Sequence, residues 1–97
     1  MLRKKYFKTK DECEVTFELQ KQANKVALVS EFNGWKPVEM KVRKKDKVFY
    51  TRMRLPIERS VQFRYLVDDL RWENDDSADE YIRNEFGEEN SVVQTYR

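Results

Sequence analysis

Apolar and polar side chains alternate with a period of two along most of this chain, and that pattern excludes helix as its main building block. Val15, Phe17 and Leu19 alternate with Glu14, Thr16, Glu18 and Gln20. Phe49, Thr51, Met53 and Leu55 share one parity, with Tyr50, Arg52 and Arg54 on the other; Val61, Phe63, Tyr65 and Val67 form a third row, with Gln62, Arg64 and Leu66 between them. Successive strand residues point to opposite faces, so each segment reads as a strand with one buried and one wet side. Lys25–Ser30 is more uniformly apolar and reads as a central strand, Val38–Val42 as a short one, Leu70–Trp72 as a hairpin return and Ser91–Tyr96 as the last.

Turn signals punctuate these runs. Gln22–Lys25 separates the first two strands, Asn33-Gly34 followed by Pro37 breaks the chain after the second, and Arg43–Lys47 and Asp68-Asp69 are further turns. A polar loop is expected from Glu73 to about Glu89, interrupted by Tyr81, Ile82 and Phe86. About seven short strands at this spacing, with no 3.6-residue period, indicate an all-β sandwich.

The 97 residues suit a single domain, with a β-sandwich over residues 13–96 and a basic, frayed segment over 1–12. Charged residues make up 39% of the chain, against about 25% in a typical domain, yet Trp 2, Tyr 5 and Phe 6 supply more buried area than a disordered chain has. The net charge of +2 is unevenly spread: Arg3–Lys10 and Lys41–Lys47 are basic, whereas eight acids fall between Glu73 and Glu89 against the one base Arg83. Basic runs fit nucleic acid or, more often, solvated turns.

Several chemistries lack their parts. With His 0 there is no imidazole for a triad or general base, and one cysteine, Cys13, gives neither a disulfide framework nor a CxxC metal site. The acidic stretch lacks the alternating ligands and sixth-place glycine of a calcium loop, and a glycosidase needs two carboxylates across a cleft that so short a sandwich does not provide. No metal and no cofactor is expected, nor an enzyme. The N-terminus has no apolar h-region and no run of 18 apolar residues occurs, so a cytoplasmic protein without a membrane partner is the expectation.

Two tryptophans stand in turns. Trp35 follows Asn33-Gly34, and Trp72 follows Asp68-Asp69. An indole on a loop either packs back as a lid or offers an apolar platform to the axial C–H face of a sugar ring. Covering about 100 Å² in that way would contribute roughly 2.5 kcal/mol.

Three segments in register carry a resemblance: Val26–Trp35, Phe63–Asp68 with Trp72, and Phe86–Val93. They resemble the isoamylase N-terminal, glycogen-binding early-set domain (the carbohydrate-binding module family 48 type) of isoamylases, branching enzymes and the β subunit of the AMP-activated kinase. Trp72–Asp75 with Ala78–Tyr81 is closer still to small bacterial proteins consisting of this domain alone. The resemblance implies an immunoglobulin-like sandwich that recognises α-1,4-linked glucans of the glycogen or starch type, without catalysis. By position it implies Trp35 and Trp72 as sugar-stacking residues, Arg64 where a lysine often bonds hydroxyls, Phe86 on the loop over the site, and Asn90 as a hydroxyl-binding residue in the last turn. Asp69 departs from the family, standing where glycine is usual. The alternative reading is a protein-interaction or regulatory adaptor that keeps the fold without sugar binding and pairs with another chain or with itself; nucleic-acid binding is the weaker third. Joint exposure of Trp35 and Trp72 on one face separates the first two.

Overall fold

The alternating rows build two antiparallel sheets. A computed structural model describes all 97 residues. In chain order the strands are β1 (Leu2–Tyr6), β2 (Glu12–Leu19), β3 (Val26–Ser30), β4 (Val38–Glu39), β5 (Lys41–Val42), β6 (Phe49–Pro56), β7 (Ser60–Val67), β8 (Arg71–Glu73), β9 (Glu80–Arg83) and β10 (Glu89–Gln94), with a 3-10 turn at Glu31–Asn33. One sheet runs β1-β2-β6-β5; the other runs β4-β3-β7-β10-β9, with β8 paired to the C-terminal half of β7. This is an immunoglobulin-like sandwich of the early-set type.

The core is filled by the inward parity of both sheets. Cys13, Val15, Phe17 and Leu55 from the first sheet meet Val26, Leu28, Val61, Phe63, Tyr65, Val67 and Val93 from the second. Phe63 sits at the centre: its ring is edge-on to Phe17 across the sandwich at 5.0 Å and to Tyr65 on its own strand at 5.7 Å, distances at which aromatic pairs add to simple area burial. Cys13 lies in this core, and burial pushes its thiol pKa up, so it stays a protonated hydrophobe.

The chain departs from the sequence expectation in five places, each with a physical reason. Ten strands form instead of about seven. Val38–Val42 is split: β4 pairs with β3 and β5 with β6, so the chain changes sheets at Met40, which is buried between them and donates its N–H to the Val26 carbonyl at 2.8 Å. Residues 1–12 are not frayed throughout, because Leu2–Tyr6 pairs with Cys13–Phe17 and places Leu2 and Tyr6 against the core. The polar loop contains β9, whose Glu80–Arg83 backbone pairs with Glu89–Val92 despite exposed side chains. Finally, Glu18 has the outward parity yet is not wet. It is buried beneath Arg3 Nε at 2.9 Å and Arg43 Nη1 at 2.8 Å.

Burial alone would raise the Glu18 pKa, but the hydrogen bonds and charges of the two guanidiniums outweigh it and hold the carboxyl below the ordinary 4.5. A carboxyl depressed in the folded state stabilises the fold above its unfolded pKa, and that stabilisation is lost as pH falls through the folded value. Melting temperature should therefore drop, as pH falls below the ordinary 4.5, more steeply in the wild type than in Glu18→Gln. Parallel curves for the two proteins would show that Glu18 does not contribute this acid sensitivity.

Candidate functional site

On β7 the residues facing away from the core are Gln62, Arg64 and Leu66. Register places Val92 of β10 opposite Gln62, Trp72 of β8 opposite Leu66 and Val29 of β3 opposite Arg64, while Ile82 of β9 lies opposite Asn90. Non-local pairing thus gathers one face of the larger sheet from five separate segments. A groove of about 490 Å³ opens on this face, lined by Trp35, Gln62, Arg64, Trp72, Ile82, Arg83, Asn84, Glu85, Phe86 and Asn90. All five residues singled out in the sequence line it.

Trp35 is delivered by the Glu31–Asn33 turn. Gly34 (φ 74°) and Trp35 (φ 64°) are both left-handed, and the Trp35 N–H donates to the Ser30 carbonyl at 2.8 Å. The Glu31 carboxylate ties the turn to β7 by accepting the Gln62 N–H at 2.9 Å. Left-handed backbone costs a bulky L-residue on the order of 1 kcal/mol, and such residues gather at functional sites. Trp35 is 41% exposed and Trp72 is 47% exposed, so neither is a lid folded into the sandwich.

Trp72 is placed by a hairpin whose loop is the three residues Asp68–Leu70. Asp68 (φ 53°) and Asp69 (φ 56°) are both left-handed, and Leu70 N–H donates to the Val67 carbonyl at 3.0 Å, which makes a type I′ turn. Asp69 therefore holds a left-handed backbone that glycine adopts without steric cost. The Asp68 carboxylate accepts the Asn24 and Lys25 N–H groups at 2.8 and 3.0 Å. Because Asp69 gains only an exposed ion pair with Lys25, which contributes little, Asp69→Gly should raise the melting temperature by about 2–4 °C in thermal unfolding. A lower melting temperature would mean that the carboxylate outweighs the backbone strain.

Arg64 lies mostly buried between these platforms. Its guanidinium stacks on the Trp72 ring at 5.2 Å, and its Nη1 donates to Glu88 at 3.1 Å. Its Nε is the one buried side-chain polar atom in the protein without a hydrogen-bond partner.

Phe86 is carried on the β9–β10 hairpin and is 81% exposed. Asn84 builds that loop: its side-chain oxygen accepts the N–H groups of Phe86 and Glu88 at 2.9 and 3.1 Å, while left-handed Gly87 (φ 80°) donates to the Asn84 carbonyl at 3.2 Å.

Asn90 differs from expectation. It lies on β10 rather than in a turn and is buried, donating to Gln62 Oε1 at 2.9 Å and accepting from Asn84 Nδ2 at 3.2 Å. The amide row Asn84–Asn90–Gln62 thus forms the polar floor of the groove. Gln62 and Asn84 were missed in the sequence. The first was readable, since Gln62 shares the parity of Arg64 on one strand; the second depends on the β9–β10 hairpin, for which Tyr81 and Ile82 were the only signal.

The acidic segment behind the groove is not simply solvated. Asp75 is 1% exposed. Its carboxylate accepts from the Tyr65 hydroxyl at 2.7 Å, the N-terminal ammonium at 2.6 Å and the Ser77 N–H at 2.8 Å, and its own N–H donates to Ser91 Oγ at 2.9 Å.

Comparison with known proteins agrees with this geometry. No curated protein matches the chain. A family model described as the glycogen recognition site of AMP-activated protein kinase matches residues 13–96, which include every strand after β1 except the first residue of β2, and all ten residues lining the groove. The chain belongs to that family of glycogen recognition domains.

Proposed function

We propose that this protein binds α-1,4-linked glucans in the groove on the larger sheet and does not turn them over. The observation that carries the reading is the convergence of two half-exposed tryptophans, from turns far apart in sequence, on one groove of a glycogen-recognition fold. Each indole offers apolar area to a glucose ring. The amide floor and the Arg64 side chain line the groove and offer polar groups to hydroxyls. Phe86 overhangs as an adaptable third surface. An open groove with few platforms suits dissociation constants of about 10 μM to 1 mM, since association itself costs free energy.

The adaptor reading would be favoured by a tryptophan withdrawn into the core. Both are half-exposed, so the glucan reading is preferred. Titrating intrinsic tryptophan fluorescence with maltoheptaose and β-cyclodextrin should give saturable changes, and cellohexaose should give none. No response up to about 10 mM, equivalent to only roughly −2.7 kcal/mol, would refute the proposal and leave the adaptor.

A further inference from the structure

We infer that the outward face of the β1-β2-β6-β5 sheet, remote from the groove, is a docking surface for a carboxylate-rich polypeptide. A neutral glucan gives no reason for the way charge is divided between the sheets. Residues 1–19 and 41–56, which hold the smaller sheet, carry twelve Lys and Arg against five Asp and Glu; the remaining residues carry eight against thirteen. One half of the sandwich is therefore strongly basic.

Register shows how the cations are arrayed. Lys5, Glu14 and Arg54 form one row across β1, β2 and β6. Arg3, Thr16 and Arg52 form the next, and Glu18, Tyr50 and Lys41 the third. The carboxylates on this face are outnumbered: Glu18 takes Arg3 and shares Arg43 with Asp46, and Glu12 takes Arg54, while Lys5, Lys41 and Arg52 have no acidic partner. Rings hold the side chains up from the sheet. Arg52 and Arg43 lie over Tyr50 at 5.4 and 5.8 Å, and Arg54 and Lys5 over Phe7 at 4.5 and 5.7 Å.

Of the stacked guanidiniums, Arg43 is engaged by Asp46 and Glu18 and Arg54 by Glu12, whereas Arg52 over Tyr50 keeps its N–H edge free, which favours bidentate recognition of carboxylates. Single-stranded nucleic acid is the poorer fit. It needs bare aromatic faces for base stacking, and here both rings are capped by cations, while Glu12, Glu14 and Glu18 interrupt any continuous phosphate track.

The test uses the full chain and a fluorescein-labelled oligoglutamate peptide, read by anisotropy. Binding should saturate at about 20 mM salt and weaken at least tenfold by about 200 mM. Lys41→Glu/Arg52→Glu should lose about tenfold or more. Lys44→Glu/Lys45→Glu, with the same change in net charge but in the β5–β6 turn, should lose clearly less. Arg52→Lys should lose about threefold, because the stacked fork is gone while the charge remains. Trp72→Ala and saturating maltoheptaose should leave peptide affinity unchanged.

Absence of binding at low salt would overturn the inference. So would equal losses in the two double variants, or an unaltered Arg52→Lys, since either means a diffuse field and no built surface. Tighter binding of an oligothymidylate of matched charge would reassign the face to nucleic acid, and salt-sensitive self-association in sedimentation would reassign it to a second copy.

Discussion

Trp72→Ala should weaken maltoheptaose binding by roughly 30-fold, with Trp35→Ala close behind, and the double variant should show no measurable binding. Each half-exposed indole has about 80–100 Å² to cover with a sugar face, which corresponds to roughly 2–2.5 kcal/mol, or between one and two decades of affinity. The loss at Trp72 is the larger because the ring also supports Arg64, whose guanidinium stacks on it at 5.2 Å. Removing the indole frees Arg64 to swing toward Glu88 and away from the groove, so a platform and an oriented donor go together.

At Trp35 the choice of replacement matters. With φ at 64°, alanine keeps the left-handed backbone cost and glycine removes it. Trp35→Gly should therefore melt higher than Trp35→Ala while binding no better. Isothermal titration on variants that retain a cooperative melt reads the affinities. If either single variant binds as wild type, that tryptophan is not a stacking residue, and the groove must be reassigned to its amide floor and Phe86.

The second large effect concerns stability. Asp75→Ala should cost about 3–5 kcal/mol and lower the melting temperature by roughly 15–25 °C. The carboxylate is buried with three donors, from Tyr65, Ser77 and the N-terminus, and removing it leaves Tyr65 and Ser77 without their acceptor and the N-terminus with the Glu18 carbonyl alone. Burial and the neighbouring Asp75 charge raise the Tyr65 pKa, so the phenol stays a donor at neutral pH. Tyr65→Phe should cost less, on the order of 1–2 kcal/mol, because two donors remain for the carboxylate. In the double variant the losses should be less than additive, as expected for residues in contact. Chemical denaturation reads all three. A cost below about 1 kcal/mol for Asp75→Ala would mean that its carboxylate is solvated in solution.

Asp75 also bears on the site, since it anchors the chain between Trp72 on β8 and Tyr81 on β9. Its backbone carbonyl accepts the Tyr81 hydroxyl. The acidic stretch around it reads as loop because Asp and Glu are poor strand formers, yet β9 forms through backbone pairing with β10.

The alternating rows determined the all-β class, because period two is a local property that each segment states by itself. They also separated inward Phe63 and Tyr65 from outward Arg64. Asn33-Gly34 and Asp68-Asp69 marked the turns that carry Trp35 and Trp72, since left-handed backbone has a residue-type signature.

Which outward residues share a groove was decided by tertiary structure alone. Asn90 meets Gln62 only through the β7–β10 register, and Glu18 is buried only because Arg3 of β1 and Arg43 of the loop after β5 converge on it. Likewise β1 is ordered by pairing with β2, although Arg3, Lys4 and Lys5 read as a solvated end. In each case the deciding partner is distant in sequence. Register and the burial of charge depend on such partners, whereas periodicity does not.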